Sequence, residues 1–240
     1  MSKQAELKKF YENKFLDKTI NKEYSSPLLI SLDENINTDI MIIGQETNSW
    51  YGSYGDFLKN GVDKQMDIYK NFMKKEYPKM NTMFWRYVKK IINDVNNITP
   101  VFNNLFKFDL GDKRKDRNIS KAPKNEYEQI IDFHQDILSK EIEIIKPKII
   151  IFFTGHTYDK LFIDPIIKQN GDYKKLYKPI PELSVDEWKC GILDLKNFKG
   201  FESFEGKTIR TYHPIYLNRN LDNFGNEIVE YLKKEIAEYL

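Results

Sequence analysis

The sequence predicts an α/β protein in three layers, with helices on both faces of a central, mostly parallel, four-stranded sheet. Short β-branched or apolar runs recur at residues 40–44, 101–108, 148–154 and 208–212. Stretches with apolar residues at helical spacing separate them. The run from Lys148 to Thr154 is apolar almost without a break, as in a strand covered on both faces. Strands that alternate with helices are joined by crossovers, which favours parallel pairing.

Leu7, Phe10, Tyr11 and Phe15 recur at helical spacing and predict an amphipathic helix in an N-terminal helical extension, residues 1–30, packed outside the sheet. The first strand runs into Gly44-Gln45-Glu46, which leaves an amide and a carboxylate at its carboxyl end, where open α/β sheets bind ligands. In the glycine-rich turn that follows, Trp50, Tyr51 and Tyr54 offer flat faces. Residues 64–76 and 82–95 read as helices, the second with Met83, Phe84, Tyr87, Val88, Ile91 and Ile92 as its apolar stripe. The β-prone run 101–108 holds Asn103 and Asn104, and a polar, basic loop spans residues 111–124. One helix is expected over residues 125–145, stopped ahead of Pro147. After the apolar strand, residues 155–162 turn back as a helix, whereas residues 165–206 lack periodicity and read as an irregular insertion. The last strand leads into His213-Pro214, and a helix over residues 223–240 closes the chain. The expected organisation is one domain, residues 1–240.

Hydrophobic residues make up 40% of the 240, aromatics 14% and charged residues 31%, which suits a soluble globule with an ample core. A net charge of +2 gives no general basic field, so any nucleic-acid footprint must be local. The single cysteine, Cys190, excludes an internal disulfide and the cysteine clusters that hold zinc or iron and sulfur. It also favours a reducing cytoplasm. The first residues are charged, unlike a signal peptide. The longest apolar run, Ile149 to Phe153, is far short of the ~20 residues that span a bilayer. A cytoplasmic monomer without membrane contacts, metal or organic cofactor is expected.

In such a sheet the residues after each strand share one rim, so Gln45, Glu46, Asn104, Gly155, His156 and His213 are expected around one crevice. A carboxylate facing a histidine, with an amide between, suits cleavage of a bond whose electrophilic carbon becomes positive while the leaving group becomes negative. N-glycosidic bonds break in this way.

These segments resemble the motifs of the uracil-DNA glycosylase superfamily. Gly44-Gln45-Glu46-Thr47-Asn48 is similar to its first motif, Gly-Gln-Asp-Pro-Tyr-His, and His213-Pro214-Ile215-Tyr216-Leu217 to its second, His-Pro-Ser-Pro-Leu. Asn104-Leu105-Phe106-Lys107 resembles the strand whose asparagine reads the base, and residues 143–155 the helix-to-strand element before the second motif. In the family's order these similarities cover the chain from about residue 39 to its end.

The resemblance implies a uracil-DNA glycosylase-like fold and DNA as partner. It places Glu46 at the water-activating aspartate, His213 at the histidine that hydrogen-bonds the departing pyrimidine, and Asn104 at the base reader. Gln45, Asn48, Tyr51 and Tyr54 complete the expected base pocket. Leu217 matches the apolar wedge that fills the stack behind an extruded nucleotide, and Arg219 with Lys113 and Arg114 would contact phosphates. Asn48 stands where uracil-specific members carry a tyrosine that keeps thymine out, so a larger or hydroxylated C5 substituent fits this reading. Thr47 replaces proline and Ile215 replaces serine. With only Cys190, the chain falls outside the iron-sulfur branches. The implied activity is a monofunctional DNA glycosylase that flips and releases uracil or a modified pyrimidine, in base-excision repair or in defence against phage with modified bases. The alternative is a catalytically inactive relative that binds a nucleobase or DNA.

Overall fold

The computed structural model describes residues 1–16, 19–92, 98–158 and 176–239. Its sheet has six strands: β1 (Ile36–Gly44), β2 (Thr99–Asn104), β3 (Ile149–Phe153), β4 (Tyr177–Pro179), β5 (Cys190–Leu193) and β6 (Lys207–Thr211), in the order β2-β1-β3-β6-β5-β4. The four predicted strands, β2, β1, β3 and β6, are parallel neighbours. β5 runs antiparallel to β6, and β4 antiparallel to β5. Residues 165–206, expected to be irregular, therefore contribute both added strands. Each is short, and β5 contains Gly191, where a Cβ would sit 2.8 Å from the Glu187 carbonyl oxygen. Strands this short, one with a glycine, carry almost no period-two signal.

The helices are α1 (Lys3–Phe15), α2 (Tyr54–Asn71), α3 (Met83–Ile92), α4 (Lys124–His134), α5 (Ile137–Ile145), α6 (Pro214–Arg219) and α7 (Asn226–Ala237). α1 packs on α2 and α5, and α3 on α6 and α7. α2 starts ten residues ahead of its prediction, because Ser53 and Asp56 form a reciprocal capping box that the glycine-rich turn conceals. It kinks at Gly61, where φ is +81°, and continues into a π-helical turn, Phe72–Glu76. The single helix expected over residues 125–145 is two, broken at Asp136, whose φ of +65° no helix continues through. A second π-helical turn, Leu221–Gly225, precedes α7. The helix expected over residues 155–162 runs beyond the described residues, which show only a helical turn, His156–Tyr158. The end of the one expected over residues 82–95 also lies outside them.

The centre of the sheet is sealed from water: Ile40 to Ile43 on β1 and Ile149 to Phe153 on β3 have no exposed surface. The N-terminal helix lies outside the sheet, on α2 and α5, and its apolar face joins the buried core. Leu7, Tyr11 and Phe15 are fully buried, and the Leu28 N–H bonds the Lys107 carbonyl at 2.7 Å. The Tyr11 hydroxyl donates to Glu141 at 2.6 Å, inside a buried polar knot where Lys107 pairs with Glu141 at 2.6 Å and Asn103 donates to Glu141 at 2.9 Å. Among the described residues no helix is long and apolar enough to cross a membrane.

Strand register brings the carboxyl ends level, with Gly44 opposite Asn104 and Phe153 opposite Thr211. The chain leaves β1 for β2 on one side and places β3 on the other, so the sheet has its topological switch beside β1, where α/β sheets open a crevice.

Candidate active site

A cavity of about 620 Å³ opens at these carboxyl ends. Gly44, Gln45, Glu46 and Asn48 border it from the end of β1, Asn104 from β2, and His213 and Ile215 from the segment after β6. Arg117 and Asn118 close it from the loop before α4, and Phe84 and Trp85 from α3. Two other concavities, of about 720 and 880 Å³, lie elsewhere: one below the amino ends of β3 and β6, the other between α4 and the segment after α1. Neither joins an acid, an amide and an imidazole at strand carboxyl ends.

The loop after β1 is pinned from below by the buried Asp109. Its carboxylate accepts from the Thr47 hydroxyl at 3.0 Å, the Ser49 N–H at 2.7 Å and the Gly111 N–H at 2.8 Å. Thr47, in the place of a proline, thus fixes the loop by hydrogen bonds, sharing its hydroxyl with Ser25 at 2.9 Å. Gln45 donates its amide to the Thr154 carbonyl at 2.9 Å and ties the end of β1 to that of β3. Glu46 accepts from the Ile119 N–H at 2.8 Å. Burial lifts its carboxyl from 4.5 to about 8 against that bond, and the negative charges of Asp109 and Asp116 add to the rise.

His213 caps α6: its Nδ1 accepts from the Ile215 N–H at 3.2 Å. An accepting Nδ1 leaves the neutral ring's proton on Nε2, the nitrogen free to donate. Burial lowers its pKa to about 4, so the ring is neutral at physiological pH. It lies against Phe84, with ring centroids 5.5 Å apart and planes at 35°. Asn104 reaches the cavity because position 44 is glycine: a Cβ there would stand 2.4 Å from the Asn104 Oδ1. Consecutive strand residues face opposite ways, so Asn103 turns into the buried knot with Glu141 and Lys107.

The cavity thus gathers Gln45, Glu46, Asn48, Tyr51, Asn104 and His213. The model of the uracil DNA glycosylase superfamily matches residues 33–234. The chain belongs to the uracil DNA glycosylase superfamily. Membership brings a glycosylase-type function and action on DNA. A search of curated proteins finds no match.

Seven residues expected around the site, Tyr54, Lys113, Arg114, Gly155, His156, Leu217 and Arg219, do not border the cavity. Tyr54 is fully buried at the start of α2 and donates its hydroxyl to the Phe15 carbonyl at 2.6 Å, so it serves the core and not a base pocket. Leu217 has no exposed surface, because α6 turns it inward, while Ile215 and Tyr216 are 44% and 43% exposed. Ile215 borders the cavity, and the Tyr216 ring lies tilted against Tyr212, with centroids 4.2 Å apart and planes at 35°. Lys113 is paired with Glu23 at 2.8 Å and Arg114 with Glu126 at 2.7 Å, both away from the cavity lining. Arg219 is exposed on α6, also outside that lining. Gly155 and His156 do not border the cavity either.

Arg117, Asn118, Phe84, Trp85, Phe72 and Glu76 border the cavity although the sequence did not mark them as site residues. Arg117 hydrogen-bonds Ser49 and pairs with Asp112 at 2.8 Å, which holds the basic loop against the loop that carries Glu46. The signal available was the pair Phe84-Trp85: adjacent helical residues point about 100° apart, so one stripe cannot absorb both. Among the described residues no group of three or more His, Cys, Asp or Glu side chains is placed to hold a metal ion.

Proposed function

We propose that this chain is a monofunctional DNA glycosylase that hydrolyses the N-glycosidic bond of a flipped uracil or C5-modified pyrimidine, in base-excision repair or in defence against phage with modified bases. The observation that carries this is the meeting of Glu46, Asn104 and His213 on one cavity. A flipped base inserts between Phe84 and Asn104, whose amide pairs with the pyrimidine edge. As the C1′–N bond breaks, its electron pair leaves with the base, and the Nε2–H of neutral His213 donates a hydrogen bond to the oxygen on which that charge gathers. Ionised Glu46 faces the positive sugar carbon and takes a proton from the water that bonds to C1′. The base then leaves with a proton from solvent. Ile215 enters the gap in the stack.

A second reading, a binding module without catalysis, is favoured by one observation: with its carboxyl raised to about 8, Glu46 is largely protonated at neutral pH. Oligonucleotides carrying uracil, a thymine mismatch or C5-modified cytosines, treated with alkali after incubation, separate the two. Strand scission at the modified position supports the glycosylase. Binding without scission at any pH up to 9 supports the module. Glu46→Gln and His213→Ala should each abolish release, and turnover retained in both removes these roles.

A further inference from the structure

Strand β2 is an edge of the sheet, with β1 on one side and no strand beyond it among the described residues. Leu105 turns its backbone N–H to β1 and bonds the Gly44 carbonyl at 3.1 Å. The N–H groups of Phe102 and Asn104 therefore face the open edge, where only side chains can receive them. Phe102 meets the Tyr69 hydroxyl, which lies 2.9 Å from both its nitrogen and its oxygen. Asn104 donates its N–H to the Asn103 Oδ1 at 2.7 Å. The backbone of the residue proposed to read the base is thus held by the side chain of its neighbour.

That side chain is held in turn by an ion pair. The Asn103 Oδ1 also accepts from the Lys107 ammonium, and its Nδ2 donates to Glu141 at 2.9 Å. Lys107 and Glu141 pair at 2.6 Å, the Tyr11 hydroxyl donates to Glu141 at 2.6 Å, and all four residues are fully buried. The two ends of an amide have the same shape and opposite hydrogen-bonding character. Turned over, Asn103 would set its NH2 against two donors and its oxygen against a carboxylate. The two charges therefore fix which way this amide points. A buried ion pair rarely stabilises a fold more than apolar residues of the same size, so its desolvation cost points to a role in geometry.

We infer that Lys107 and Glu141 are positioning residues for the cavity: through the Asn103 amide they anchor the backbone of Asn104 and so set the reach of its side chain toward the base. This rests on the base-reading role proposed for Asn104. The segment between them transmits little slack, because the Leu105 and Phe106 N–H groups bond the Gly44 and Gln45 carbonyls at 3.1 and 3.0 Å.

The test compares the wild type with three variants. Lys107→Met/Glu141→Gln removes both charges at similar volume, so neither is left buried alone. Asn103→Ala keeps the ion pair and cuts its link to Asn104. Lys207→Met/Glu235→Gln removes a pair at the amino end of β6, outside the cavity lining, and serves as the control. Backbone amide exchange is followed by NMR. Release and binding are measured between pH 6 and 9 on oligonucleotides carrying uracil, a thymine mismatch or 5-hydroxymethylcytosine. In the first two variants the Asn104 amide should exchange at least about tenfold faster, while those of Ile42 and Ile151 keep their protection. On the strand that the wild type cleaves best, kcat/KM should fall about tenfold with an unchanged pH profile, since Glu46 and His213 stay in place. The control should change neither reading. An Asn104 amide that stays protected in Lys107→Met/Glu141→Gln, or an equal loss of release in the control, overturns the positioning role. If that variant fails to fold, Asn103→Ala decides, and unchanged exchange or unchanged kcat/KM there overturns it. If the wild type releases no base, the glycosylase reading fails; the positioning role is then judged by Asn104 exchange and by affinity for the same strands, and it is overturned if both match the wild type.

Discussion

Glu46→Gln should inactivate the protein and at the same time stabilise it, by an amount that grows with pH. Burial moves this carboxyl from an ordinary 4.5 to about 8. Between those pH values the folded chain keeps a proton that the unfolded chain has lost. Stability therefore falls as pH rises from about 4.5 and levels off above about 8. At about 1.4 kcal/mol per pH unit the ceiling on this loss is about 5 kcal/mol. Glu46 borders an open cavity, and water there reduces the effect to about 2–3 kcal/mol.

Glutamine keeps an oxygen to accept the Ile119 N–H and carries no charge, so variant and wild type should melt together at pH 5. At pH 8.5 the variant should melt higher, by roughly 2–4 °C per kcal/mol for a chain of this size. Thermal or denaturant melts at pH 5, 7 and 8.5 read this directly. For the wild type, kcat/KM on a competent oligonucleotide should rise with pH through about 8, because only the ionised carboxylate can take a proton from water. The same melting difference at pH 5 and 8.5 would refute the burial argument. A rate flat from pH 6 to 9 would refute Glu46 as the base.

His213→Ala should lower the single-turnover rate by about 10²–10³ while changing KM little, since its hydrogen bond tightens only as charge gathers on the base; with a wild-type pKa of about 4, no acid limb between pH 5 and 7 should trace to this ring. In Gly44→Ala a Cβ 2.4 Å from the Asn104 Oδ1 displaces that side chain, so affinity for the competent base should drop at least about tenfold while circular dichroism stays unchanged. Leu217→Ala should cost about 2–5 kcal/mol of stability, because the residue is fully buried. By contrast Ile215→Ala should leave melting nearly unchanged and slow release from duplex more than from single strands; the reverse pattern would return the wedge to Leu217.

Local pattern alone determined much of this protein. The apolar runs marked the four parallel strands, because a strand buried on both faces needs an unbroken apolar sequence. The same runs ended at Gly44-Gln45-Glu46 and at His213-Pro214, which located the acid and the imidazole at strand carboxyl ends. Tertiary structure decided the rest, since burial depends on what packs against a residue from far along the chain. It turned Asn104 to the cavity and Asn103 to a buried lysine and glutamate. It put Leu217 inside and Ile215 outside, although both are aliphatic members of one short motif. It made strands of two short segments too weakly patterned to announce themselves, because β6 supplies hydrogen bonds to β5, and β5 to β4, that their own sequence could not foretell. The raised carboxyl of Glu46 is of the same kind: no neighbour in sequence causes it, only the walls brought around it by folding.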